Sequence, residues 1–201
     1  MPGRTLVLAT AAAALVVATA AVAQQPVRVR GTVEAVNGDM LTIKTREGSE
    51  VKAKIGEKTM VVAVVKADYA DIKQGSFIGV TGMPQADGSQ KCREIHIFPE
   101  AMRGTGEGHR PWDLEPQSTM TNATVNEMVT AKDGNTLTLK YKDGEKKIVV
   151  GADCPIVTYK PGDKAELKPG TKVFIAAATK EADGTLTFPR INVGRDTPPP
   201  M

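Results

Sequence analysis

Gly31-Thr32-Val33-Glu34-Ala35-Val36, a turn at Asn37-Gly38-Asp39, and then Met40-Leu41-Thr42-Ile43-Lys44 form a passage that the chain states twice. It returns, diverged, as Ala123-Thr124-Val125-Asn126-Glu127-Met128, a turn through Asp133-Gly134, and Asn135-Thr136-Leu137-Thr138-Leu139-Lys140. Farther along, Asp71-Ile72-Lys73-Gln74-Gly75 answers to Glu166-Leu167-Lys168-Pro169-Gly170, Ala86-Asp87-Gly88 to Ala182-Asp183-Gly184, and Ile97 to Val193. The offset between these landmarks drifts by about four residues, so loops have changed length while strands have not. A repeated unit of roughly 70 residues is the size of a small domain. The expected organisation is therefore a first barrel over 27–98, an insertion over 99–121 and a second barrel over 122–195.

Within each copy the apolar residues alternate with period two, as in Leu41-Thr42-Ile43-Lys44 and Val51-Lys52-Ala53-Lys54-Ile55, which is the pattern of half-buried antiparallel strands. Gly and Asn at Asn37-Gly38, Gly48, Asp87-Gly88, Asp143-Gly144 and Asp183-Gly184 supply the positive φ that tight turns need. The turn spacing predicts strands at 28–36, 40–46, 50–56, 60–65, 75–83 and 91–98, then at 122–130, 135–141, 145–150, 155–159, 171–178 and 185–193. Only one helical turn fits in each copy, at Ala67–Ile72 and Lys164–Leu167. The carboxylate pairs Asp68 with Asp71 and Asp163 with Glu166 fall at the starts of those turns, where acids complement the exposed amides. Six strands and a helical turn close most economically into an all-β, OB-like barrel, because closure removes exposed edges. The expected fold is two such barrels in tandem, with an open sandwich as the alternative.

The N-terminus reads as an export signal over 1–23: Arg4, an apolar run from Leu6 to Val17, and Ala21-Val22-Ala23 before Gln24. Cleavage there would leave 25 basic and 23 acidic side chains, interleaved along the chain. That mixture offers no basic stripe for nucleic acid, and the few aromatic residues offer no stacking platform. No later segment is long and apolar enough for a transmembrane helix, so a soluble periplasmic or secreted protein is expected. The compartment permits disulfides. Cys92 and Cys154 nevertheless occupy different positions in the repeat, which favours two separate buried thiols over a bond. The Pro-rich tail, 196–201, reads as disordered.

The pattern carried by Gly31 to Lys44, Gly48 to Val51, Asp71 to Gly75 and Asp87-Gly88 resembles the short exported bacterial β-barrel repeats grouped as a domain of unknown function. The resemblance covers most of the mature chain, once per copy, and implies OB-like barrels in tandem. Similar tandem proteins from soil bacteria sometimes carry a metal transporter permease label, which would require several spanning helices. The family has no established catalytic pattern, so no functional residue carries over from it.

Any particular function should lie in what the copies do not share. The insertion reads Pro99-Glu100-Ala101-Met102-Arg103-Gly104-Thr105-Gly106-Glu107-Gly108-His109-Arg110-Pro111-Trp112-Asp113-Leu114 and holds the only Trp. Its glycines let backbone amides approach an anion, and Arg103 and Arg110 flank them with forked donors. The plainer account is an ordered linker whose Trp112 and Leu114 pack against both barrels. A metal reading gathers His96, Glu100, Glu107 and His109, a donor set suited to zinc, or to copper if Met102 or Cys92 joins it. Against it, alternation puts His96 with Glu94 on the face opposite Ile95 and Ile97, as a surface histidine. Hydrolase, zincin and redox motifs are absent. The sequence thus favours a non-enzymatic, cofactor-free module that binds a protein or a small anionic ligand through Arg103, Gly104, Gly106, Gly108, His109, Arg110 and Trp112. A periplasmic zinc- or copper-binding protein is the alternative.

Overall fold

In the computed structural model, residues 26–131 and 134–199 are described, and the expected export signal lies outside them. The first copy supplies β1 (Val27–Asn37), β2 (Met40–Thr45), β3 (Glu50–Lys54), β4 (Met60–Lys66), β5 (Phe77–Pro84) and β6 (Gln90–Ile97). The insertion adds β7 (Gly108–Pro111). The second copy supplies β8 (Thr119–Ala131), β9 (Gly134–Tyr141), β10 (Gly144–Val150), β11 (Ile156–Pro161), β12 (Lys172–Lys180), β13 (Leu186–Thr187) and β14 (Arg190–Gly194). Single turns of 3-10 helix precede β5 and β12, at Tyr69–Asp71 and Lys164–Glu166. Each is held by a back-bond to its cap: the Asp68 amide donates to Asp71 at 2.8 Å and the Asp163 amide to Glu166 at 2.8 Å. The carboxylate pairs are therefore consumed by capping. Among the described residues no helix is long and apolar enough to cross a membrane.

Most strands fall within a few residues of where the alternation places them, but the one expected at 185–193 is split into β13 and β14, β7 is unexpected, and the strands do not pair copy by copy. Starting from β1, the hydrogen-bonded order runs β2, β3, β13 and β12, and β12 pairs back with β1 to close a ring. A second ring runs β8, β9, β10, β6 and β5, and β5 pairs back with β8. Each closed barrel thus takes three strands from one copy and two from the other. The expected tandem of six-stranded barrels over 27–98 and 122–195 is replaced by two interleaved five-stranded rings. The pairs that close the rings are antiparallel, and each ring contains one parallel pair, β13 with β3 and β6 with β10.

The fourth strand of each copy belongs to neither ring. β4 and β11 cross between them as an antiparallel pair centred on Val64 opposite Tyr159. β14 extends this bridge beside β4, and the far end of β6 extends it beside β11. The long strand β1 serves two neighbours, β2 and β12, and β8 serves three, β5, β7 and β9. β1 bends through a register shift between Val33 and Ala35, and β8 through one at the matching place between Val125 and Glu127. Gly31 sits where β1 presses on β2, and a Cβ there would overlap the Lys44 carbonyl.

Three apolar clusters follow from this pairing. One fills the first ring around Ile43 and Ile175, one fills the second around Leu139 and Ile148, and a small one of Val64, Val157 and Tyr159 lies under the crossing strands. Interleaving also corrects the reading of the cysteines. β6 runs beside β10 and β11, so Cys92 and Cys154 share one ring with Cα atoms 5.8 Å apart, and they form a disulfide. The tail departs from expectation too. Pro199 is buried, and with Pro198 it lines a groove beside Arg30, Lys44 and Lys172.

Candidate functional site

The crossing strands place Tyr159 between the rings, and the ends of β6 and β14 flank it. Glu94 and His96, expected at the surface, are buried at 7% and 5% exposure. Alternation identifies their face correctly. That face is covered, because the Tyr159 and Phe98 ring centroids lie 6.3 and 6.4 Å from the imidazole. His96 Nε2 lies 3.0 Å from Glu94 Oε1, and Nδ1 lies 3.3 Å from the Tyr159 hydroxyl. The phenol contact is a hydrogen bond, whereas Nε2 and Oε1, though close, lack hydrogen-bond geometry. Burial pushes the Tyr159 phenol well above its ordinary value, an effect that Arg190 opposes and Glu94 reinforces.

The partner copy contributes Arg190 and Asn192 at the positions corresponding to Glu94 and His96, since Ile97 aligns with Val193. The Arg190 guanidinium lies 5.1 Å from the Tyr159 ring centroid. Its Nε donates to Asn192 Oδ1 at 3.0 Å, and an Nη contacts Met102 Sδ at 3.6 Å. Burial lowers its pKa from the usual guanidinium value.

The insertion is an ordered strap. β7 pairs with the start of β8, with His109 opposite Thr121 and Arg110 opposite Met120. The Asn122 side-chain amide donates to the Thr105 carbonyl at 2.9 Å, and Arg110 donates to the Gly106 carbonyl at 2.7 Å. From this anchorage on the second ring, the chain reaches the first. Arg28 stacks over the Trp112 ring at 4.3 Å, and Asp113 accepts from Arg30 at 2.8 Å and from Arg28 at 3.2 Å. Burial pushes the Asp113 carboxyl up, but Arg30 and Arg28 more than offset it and hold it below the usual carboxylate range. The linker role for Trp112 is therefore present alongside any binding role.

Between strap, bridge and rings lies a cleft of about 310 Å³. Of the sequence-derived residues, Gly106, Arg110, Trp112 and His96 line it, whereas Arg103, Gly104, Gly108 and His109 do not. Arg103 is engaged elsewhere, paired with Glu100 and donating to the Gly75 carbonyl at 3.0 Å. His109 Nδ1 meets Thr121 Oγ1 at 2.8 Å, and its pKa is lowered by burial and by the charges of Lys146 and Arg110. Within the glycine segment the Thr105 and Glu107 amides are taken by the Met102 and Gly104 carbonyls.

The proposed metal ligands stay apart. His96 faces Glu94 and Tyr159, Glu100 holds Arg103, His109 faces Thr121, and Glu107 accepts from the Lys142 amide at 3.1 Å. Among the described residues, no three His, Cys, Asp or Glu side chains gather where they could hold a metal ion. β6 turns its histidine inward while the β7 hairpin lays the other against β8, so spacing along the chain misleads.

Sequence reasoning missed the other walls of the cleft, Phe98, Met102, Tyr159, Phe174, Arg190 and Asn192. A signal existed for two of them. The repeat alignment sets Arg190 and Asn192 against Glu94 and His96, polar residues at matched points in otherwise apolar strand ends. Comparison with family models, with curated proteins and with solved structures finds no match to this chain.

Proposed function

We propose that this chain is an exported, non-enzymatic binding module made of two interleaved OB-like barrels, with its working surface in the cleft between them. The five-stranded rings, each with one parallel pair, support the OB-like reading. The Arg4 to Ala23 signal pattern supports export to the periplasm or beyond the cell, and the Cys92–Cys154 bond suits an oxidising compartment. The observation that carries the function is convergence. The chain has eight aromatic residues, four of which (Phe98, Trp112, Tyr159 and Phe174) line one cleft together with Arg110 and Arg190. Its volume of about 310 Å³ sits at the lower end of the roughly 300–1,000 Å³ typical of small-molecule sites, favouring a small ligand over a polymer. Catalysis has less support. The nearest constellation, Glu94-His96-Tyr159, ends in a phenol whose raised pKa makes it a poor nucleophile.

The test uses four small probes, benzoate, benzyl alcohol, cyclohexanecarboxylate and benzamidine, titrated calorimetrically into the purified protein. At least one should bind saturably, and Ala177→Phe, which fills the cleft from an exposed alanine on its wall, should abolish that binding while the melting temperature holds. If no probe binds, or if the filled variant binds as well as the parent, the cleft is not the working surface.

A further inference from the structure

We infer that the cleft receives a small aromatic anion, a single-ring acid whose ring lies against the aromatic walls and whose acid group meets Arg190 and Arg110. This inference rests on the cleft being the working surface, and it names the chemical class that the cleft selects.

The charge comes first. Among the described residues neither Arg110 nor Arg190 forms an ion pair, although eight pairs of Lys or Arg with a carboxylate are found elsewhere in the same structure. Both guanidiniums are desolvated enough to lower their pKa, and for Arg110 the neighbouring charge of Arg28 adds to the effect. A desolvated cation without a counter-charge is costly, and a bound anion would relieve that cost. No Asp or Glu lines the cleft to compete for the cations. Glu94, the nearest buried acid, stands behind the imidazole of His96.

Both guanidiniums are also aimed. Arg190 is fixed from three directions, by Asn192, by Met102 Sδ and by the face of Tyr159. Arg110 is fixed by the Gly106 carbonyl and lies 5.7 Å from the Trp112 ring centroid. A guanidinium has five N–H donors, so each retains donors beyond these contacts. None of the nitrogens of Arg110 or Arg190 is among the buried side-chain atoms lacking a partner, so their remaining donors open to the cleft or to solvent. Guanidiniums immobilised before binding lose less entropy on meeting a planar acid group.

The walls supply the remaining selectivity. Phe98 and Tyr159 stack with centroids 5.5 Å apart and an interplanar angle of 30°, presenting flat apolar surface. Ala176, Ala177 and Pro189 contribute small apolar wall to the same cleft. A flat ring fills such a slot better than a puckered one, and aromatic pairs gain beyond their buried area.

The same four-probe calorimetric titration separates the two levels of claim. Benzoate should bind about tenfold or more tighter than benzyl alcohol, since hydrogen bonds to charged groups exceed neutral ones by that order. It should outbind cyclohexanecarboxylate by roughly fivefold through its ring. Benzamidine, the aromatic cation, should bind worst. Arg190→Gln and Arg110→Gln should each erase the preference for benzoate over benzyl alcohol, read as the ratio of the two dissociation constants in the same variant. Should Arg190→Gln fail to fold, Arg110→Gln and Arg190→Lys carry the comparison. Equal binding of benzoate and benzyl alcohol, or an unaltered preference in the arginine variants, overturns the aromatic-anion assignment and leaves the cleft itself standing. Failure of every probe overturns both.

Discussion

The two rings follow one plan and differ in what is fastened to them. Each has five strands in the same order, one parallel pair, a bend at the same point of its longest strand, and a capped 3-10 turn before the strand that closes it. The second ring also carries the Cys92–Cys154 bond and the β7 hairpin, whereas the first has neither and instead packs against Pro198 and Pro199. At the seam the plan breaks in a useful way. Matched positions hold Glu94 and His96 on one side and Arg190 and Asn192 on the other, so the equivalent strand ends present an acid with an imidazole and a cation with an amide. The rings share a frame, and different residues at a few matched positions make the seam between them asymmetric.

The most severe way to break this comparison is to separate the copies. A fragment of residues 27–98 holds β1, β2 and β3 but lacks their partners β12 and β13, and it holds β5 and β6 without β8. It should form no stable monomeric barrel by circular dichroism and sedimentation, and mixing with residues 119–199 should restore β structure. A 27–98 fragment that melts cooperatively as a monomer would show that one copy can close on itself.

A lesser perturbation acts on one ring. The disulfide closes a loop spanning a separation of 62 residues within the second ring, so Cys92→Ser with Cys154→Ser should cost about 2–4 kcal/mol in urea unfolding. Amide exchange should accelerate first around Leu137 and Ile148, with Ile43 and Ile175 of the first ring protected longer. Equal acceleration in both rings would mean that the crossing strands make them open as one unit.

The smallest effect belongs to His109, which packs only on the second ring. Its folded pKa is depressed, so folding favours the neutral imidazole. The unfolded chain then binds more protons between the two pKa values, and stability rises with pH there. The contribution is complete above the unfolded value near ~6.5 and is lost as pH falls through the folded one. For a half-exposed group this amounts to no more than about 1 kcal/mol. Urea midpoints at decreasing pH should fall more steeply in the parent than in His109→Gln. Identical slopes would remove His109 from the acid response.

Much of this architecture was legible in the sequence. Alternation located the strands to within a few residues, because each strand's in-and-out pattern is a local property of its own side chains. The acidic pairs at the starts of the helical turns were legible for the same reason, although their capping bonds were not. The pairing was not, because a repeated sequence writes each complementary edge twice. β1 requires a strand of the β12 kind, and β5 is the equivalent strand in its own copy. Backbone hydrogen bonds do not distinguish the two. The cysteines show the consequence: unlike positions in the repeat imply separation, and interleaving puts both in one ring. His96 shows another, since its facing was correct and its burial was not.

The sequence by itself therefore determined an all-β chain of two related units, the positions of their strands and turns, and the insertion as the place where they differ. Tertiary structure alone decided which copy closes which ring, that β4 and β11 cross between the rings, and that four aromatic residues and two arginines distant in sequence meet in one cleft. Periodicity fixes what a strand buries. What covers it depends on contacts between segments far apart in the chain, and those exist only once the chain has closed.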